Sequence, residues 1–189
     1  MFIGFSEAHP FIMGFVKHAL LAVVGEILAH KIIDGKFVFP RGFIWRMIVW
    51  GFNGMVIALI FPIYGAGVAV LQEQGFIPWN NALAGALFAS LVNSLTFGMV
   101  LMGVHTITDT IIELKTENEK ISLKEVAART RWDRFLSFVV LRSLPFFWIP
   151  AHTVAYLLPG HIQVIFLAVL SIVLGLMLTF DKKKQYAPA

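Results

Sequence analysis

Residues 80–106 read NNALAGALFASLVNSLTFGMVLMGVHT, without one Asp, Glu, Lys or Arg. About 20 apolar residues in a row suffice to cross a hydrocarbon core ~30 Å thick, so this stretch reads as a transmembrane helix. Backbone polar groups find no partner in lipid, which leaves helices and closed barrels as spanning structures, and runs of this length belong to helices. Similar runs occupy residues 11–30, 43–71, 135–157 and 162–180. With 58% of 189 residues hydrophobic, 14% charged and a mean hydropathy of +0.80, the apolar side chains exceed what a water-soluble domain of this size buries. The expected fold is therefore all-α, a single polytopic transmembrane helix bundle with about five spanning helices and the lipid bilayer as its solvent.

The distribution of basic residues orients the bundle. Of 15 Lys and Arg, only Lys17 and Arg142 fall inside the runs. Lys31, Lys36, Arg41 and Arg46 gather between the first two runs, Lys115, Lys120, Lys124, Arg129, Arg131 and Arg134 between the third and fourth, and Lys182, Lys183 and Lys184 in the tail. The alternate segments carry none. By the positive-inside rule the N-terminus is expected outside and the C-terminus inside. Residues 109–134 form a cytoplasmic-side loop in which Ser122 and Glu125 have capping-box spacing, predicting a short helix. The first run is too polar for a signal-peptide core and no small-residue cleavage site follows it. Short loops and clean charge bias suit a bacterial inner membrane, with an organelle inner membrane as the alternative.

Two helix faces stand out. In the third run Ala82, Ala86, Ser90, Ser94 and Gly98 recur every fourth residue, with Asn93 alongside, giving a small and polar seam that suits close helix packing or an aqueous lining. In the first run Gly14, His18, Ala22, Glu26 and His30 share one stripe, which must face protein or water. Counting 1.5 Å per residue from the inner ends, Glu26 lies about 6 Å deep and Arg142 and Asn53 about 10 Å deep. A Glu26–Arg142 ion pair is expected, because a lone charge at that depth costs at least ~2.5 kcal/mol. Such a pair either locks two helices or belongs to a polar pathway. Toward the outer side Lys17, His18 and His152 reach a common level, where they could select anions or respond to pH. His105 is expected at the inner interface. Pro145 and Pro150 predict a kink in the fourth run.

Several functions are not supported by these residues. Without cysteine there are no disulfides, thiolate metal sites or iron–sulfur clusters. The six histidines lack paired spacing for haem or a di-iron centre, so neither cofactor nor metal is expected. No nucleophile, base and orienter come together, so no enzymatic activity is expected. Nothing points to nucleic acid. Five spans do not divide into equal inverted halves.

The chain resembles the 22-kilodalton peroxisomal membrane protein family, which includes mitochondrial inner-membrane relatives. His9 and Pro10, then Gly25 and Glu26, are similar to its early His-Pro and Gly-Asp signatures, with Glu26 in place of Asp. The basic linker with Arg41 and Arg46, followed by Pro62, is similar in order. Phe146, Ile149 and Pro150 resemble its Asn-Phe-x-x-Val-Pro motif, with Pro145 standing where Asn would be and Arg142 in the place of a family glutamine. The late Trp-Asn-x-Tyr-Leu-Ser signature is missing. The resemblance implies a compact helical channel, weakly selective for small solutes and linked to metabolite balance, and no chemistry. A channel-like or transport-related protein for small solutes or ions is thus expected, working as a possible homo-oligomer. The alternative is a non-catalytic subunit of a larger membrane complex, docked to other membrane subunits.

Overall fold

The computed structural model describes residues 8–160, Gly4, Ser6 and positions 162, 163, 165–170, 172, 173 and 176. Every element among the described residues is helical. α1 spans Pro10–Asp34, α2 Phe43–Glu73, α3 Ala82–Asn93, α4 Met99–Thr116, α5 Leu123–Arg129, α6 Trp132–Arg134 and α7 Ile149–Leu157. A π-helical segment, Ser94–Gly98, joins α3 to α4, and a longer one, Phe135–Trp148, joins α6 to α7. Among the described residues four helices are long and apolar enough to cross a membrane: Pro10–Ile32, Phe43–Glu73, Ala82–Thr116 and Trp132–Leu157. The expected fifth span, 162–180, lies partly outside the described residues, and its described positions to Leu176 are helical.

Local chemistry sets the ends of these helices. Pro10 occupies the first turn of α1, where its missing N–H is no loss, and Gly35 closes that helix with φ of 71°. The Asn81 side chain accepts a hydrogen bond from Ala84 N at 2.9 Å and starts α3. Ser122 caps α5 in the same way through Glu125 N, at 3.2 Å. Beyond the cap, Arg129 pairs with Glu117, Glu119 and Glu125, closing the loop, and the hydrogen bonds to Glu119 and Glu125 push its guanidinium up from its ordinary value.

The third span outlasts its apolar run. It stays helical to Thr116, because Thr106 and Thr110 bond back to the carbonyls of Met102 and Thr106, and because Ile112 and Leu114 are buried. Gly42 lies against this extension: a Cβ there would come within 2.6 Å of Ile112 Cγ2, and its φ of 69° also favours glycine. The loop expected at 109–134 is correspondingly shorter.

α1 and α2 pack as an antiparallel hairpin that crosses at two glycines. A Cβ on Gly14 would lie 2.6 Å from the Gly54 carbonyl oxygen, so only glycine permits this approach. Three apolar clusters follow one another along α2. Ala22, Trp50, Met102 and Val139 pack nearest the basic loops; Phe61, Ala155, Leu167 and Leu170 follow; Val68, Ile77 and Ala89 fill the opposite end. Only 17% of the most apolar window of α2 is buried within the chain. Water cannot cover the rest at tolerable cost, so the remaining surface belongs to lipid, and the chain is a multi-span helical membrane protein.

Candidate functional site: a polar column through the bundle

At the basic end one guanidinium joins three helices. Arg46, in the first turn of α2, lies 2.9 Å from Asp109 Oδ1 on α4 and 3.5 Å from Glu26 Oε1 on α1. Its Nε also donates to the Arg41 carbonyl at 3.3 Å. Asp109 Oδ2 stands 3.4 Å from His105 Nε2, one helical turn away, and the His105 ring packs on Trp50 with centroids 4.6 Å apart. The Arg46 side chain is only 12% exposed, so its charge is matched largely by these two carboxylates.

Farther along, two buried histidines face one chamber. His18 of α1 is 1% exposed and its Nδ1 lies 3.0 Å from the Gly14 carbonyl oxygen. His152 of α7 sits 3.0 Å from Ser94 Oγ through Nδ1 and packs edge-on against Phe61, centroids 5.1 Å apart. Both histidines, with Trp50, Phe97, Leu144 and Trp148, line a cavity of about 50 Å³. The two π-helical segments meet here: Phe97 and Gly98 come from one, Leu144 and Trp148 from the other. A π turn widens the helix and shifts side chains around it, and such turns are frequent at functional sites.

Toward the other end a larger cavity of about 320 Å³ is lined by Ser6, Lys17, Pro62, Gly160 and Gln163. Lys17 Nζ donates to Ser6 Oγ at 3.3 Å. Ile57, Phe61 and Leu167 line both cavities and so form the wall between them. Phe61 is 3% exposed and stacks on Tyr156, centroids 4.9 Å apart. Polar groups thus recur at three levels, separated by aromatic and aliphatic layers.

The small seam lies between the third span and α7. Ala86, Ser90, Ser94 and Gly98 are buried, Ser90 Oγ donates to the Ile149 carbonyl at 2.6 Å, and Ala82, at the helix start, is exposed. Asn93 is fully buried; it faces the Tyr156 hydroxyl, although no hydrogen bond of normal geometry joins them.

Two sequence expectations are corrected. Glu26 pairs with Arg46, not with Arg142. Arg142 is exposed on the outer face of the bundle and forms no ion pair among the described residues. The reason is winding: the π-helical fourth span buries Val139, then Ser143 and Leu144, and Arg142 falls off that face. Asn53 is buried on α2, and its Nδ2 has no partner among the described residues. His105, expected at the interface, is buried inside the cluster.

Arg46, Asp109 and His105 were missed as site residues. Two signals pointed to them: Glu26 and Arg46 are equidistant from Lys36 in the intervening turn, and His105 and Asp109 have the i, i+4 spacing of helix neighbours. No group of three or more His, Asp or Glu able to hold a metal occurs among the described residues. Comparison with models of known families, with curated proteins and with solved structures finds no match.

Proposed function

We propose that the chain is a channel-like or transport-related protein whose path follows the polar column, with the basic end toward the cytoplasmic side. The carrying observation is the pair of cavities: they lie at successive depths, are lined by Lys17 and His18 of α1 and His152 of α7, and share the wall of Ile57, Phe61 and Leu167. Buried polar side chains in a bilayer are expensive, and a water-filled path is a recurrent reason for them. In this conformation the path is closed at Phe61 and again at the layer of Trp50 and Met102. The Arg46 cluster then stands as the inner gate and Lys17 in the outer vestibule. The likeness of His9, Pro10, Gly25 and the span-four motif to a channel family agrees with this reading, which does not depend on it.

The test is flux through liposomes containing the purified protein, followed by swelling in small polyols and by release of trapped anions. Truncating Phe61 to Ala removes the wall at a folding cost of about 3–5 kcal/mol, so Phe61→Leu is the milder companion. Both variants are expected to raise flux several-fold above the parent. Glu26→Gln is expected to change flux without loss of folding. Parent and variants that all match protein-free liposomes in swelling, anion release and proton uptake would refute the path.

A second reading has its own observation. Arg142 projects from an exposed face beside Leu141, Pro145 and Phe146, where a charge facing hydrocarbon is unfavourable. A carboxylate on a helix of another membrane subunit would neutralise it. That reading makes the chain a non-catalytic subunit of a complex, and the native mass in mild detergent, with co-purifying chains identified, tests it.

A further inference from the structure

We propose that the species passed through the narrow chamber is the proton, relayed by the imidazoles of His18 and His152. The proposal rests on the path reading above and names what the path carries.

Hydrogen bonding fixes the state of His18. A carbonyl oxygen only accepts, so the 3.0 Å contact with Gly14 O places the ring hydrogen on Nδ1 and leaves Nε2 of the neutral ring as a lone pair. Nε2 is buried and has no partner among the described residues, while the ring lines the chamber. A proton acceptor is therefore held bare at the edge of an internal space. On the same chamber His152 has Nδ1 on a hydroxyl, Ser94 Oγ, which can donate or accept. His152 can thus change tautomer without losing its hydrogen bond.

The space selects by size and chemistry. About 50 Å³ holds one or two waters and excludes a solute of several heavy atoms. The described chamber walls from α2, the third span and the last helix are apolar or aromatic, and no carboxylate is among the described lining residues, so a metal cation finds no hard oxygen ligand among them. His18 and His152 are the two titratable side chains among the described residues of the walls. Lys17 follows His18's helix into the larger cavity on one side. On the other side His105 packs on Trp50, which also lines the chamber, and its buried Nδ1 has no partner among the described residues, while Nε2 meets Asp109. Titratable groups thus continue beyond both ends of the chamber.

The step balances as proton transfer alone. When the wall at Phe61 opens to water, a hydronium proton from the larger cavity adds to His18 Nε2, giving an imidazolium and water. Loss of that proton to chamber water, and on to His152, restores the neutral His18 ring, and His152 returns to neutral by giving a proton to water on the His105 side. No other bond changes.

The experiment uses liposomes that enclose a pH-sensitive dye, with a potassium diffusion potential drawing cations inward, and swelling in a small polyol measured on the same preparation. The parent protein is expected to acidify the interior faster than protein-free liposomes do. His18→Gln and His152→Gln, each confirmed as monodisperse, are expected to bring that rate to background; should one fail to fold, the other decides. Parent liposomes that swell but do not acidify would overturn the proton proposal while leaving the path. Parent liposomes that do neither would overturn both. Acidification unchanged in both histidine variants would also overturn the relay.

Discussion

Glu26 and Arg46 stand at equal distances from Lys36 in the turn between α1 and α2, so antiparallel packing brings them to one level, where Asp109 joins them. Arg46→Gln leaves two carboxylates facing each other without their cation, and is expected to destabilise by about 2 kcal/mol, the scale of a hydrogen bond to a charged group. The readout is the thermal midpoint in detergent. Glu26→Gln should lower it less, since Arg46 keeps the shorter contact with Asp109, and Arg142→Gln should leave it unchanged. The sequence made the stripe of His18 and Glu26 legible through its four-residue spacing. It did not make the partner of Glu26 legible, because depth counted at a uniform α-helical rise places Arg142 correctly only if the fourth span is an α-helix. His105 was misjudged for a related reason: it lies at the end of an apolar run, but the helix continues and is covered by its neighbours.

Spans one to four were legible as elements from length and composition, and the seam on the third from the interval of its small residues. Helix winding was not. The Ser94–Gly98 and Phe135–Trp148 segments arise where tertiary packing and Pro145, which has no N–H to give, favour wider turns over the local α-helical preference. The hairpin of α1 and α2 depends on Gly14 and Gly54, whose backbones touch. Gly54→Leu is expected to splay the hairpin at a cost of about 1–3 kcal/mol, the range for overpacking, and to lower the thermal midpoint accordingly. Ser90→Ala removes the hydrogen bond to Ile149 without adding volume to the seam, and should cost about 1 kcal/mol. A larger loss for Ser90→Ala than for Gly54→Leu would mean that the seam, not the glycine crossing, holds the bundle together.

At the scale of the whole molecule, lipid covers most of the apolar surface and the polar column lies inside. The absence of cysteine makes this arrangement directly testable, since any cysteine introduced is unique. Single cysteines at Lys36 and Lys120, in the two basic loops, should react with a membrane-impermeant maleimide only from the cytoplasmic side, and one at Trp79 only from the other; the reverse pattern would invert the orientation expected from the charges. The measurement that bears most directly on the path is the same labelling applied within the membrane. Cysteines at Met13 and Ala58 line the larger cavity, whereas those at Phe52 and Leu59 sit on the exposed face. The expected result is rapid modification of Met13→Cys and Ala58→Cys from the side opposite the basic loops, with Phe52→Cys and Leu59→Cys unreactive. Equal protection of all four positions would mean that no water enters the column, and the polar groups inside would then be helix-to-helix contacts alone.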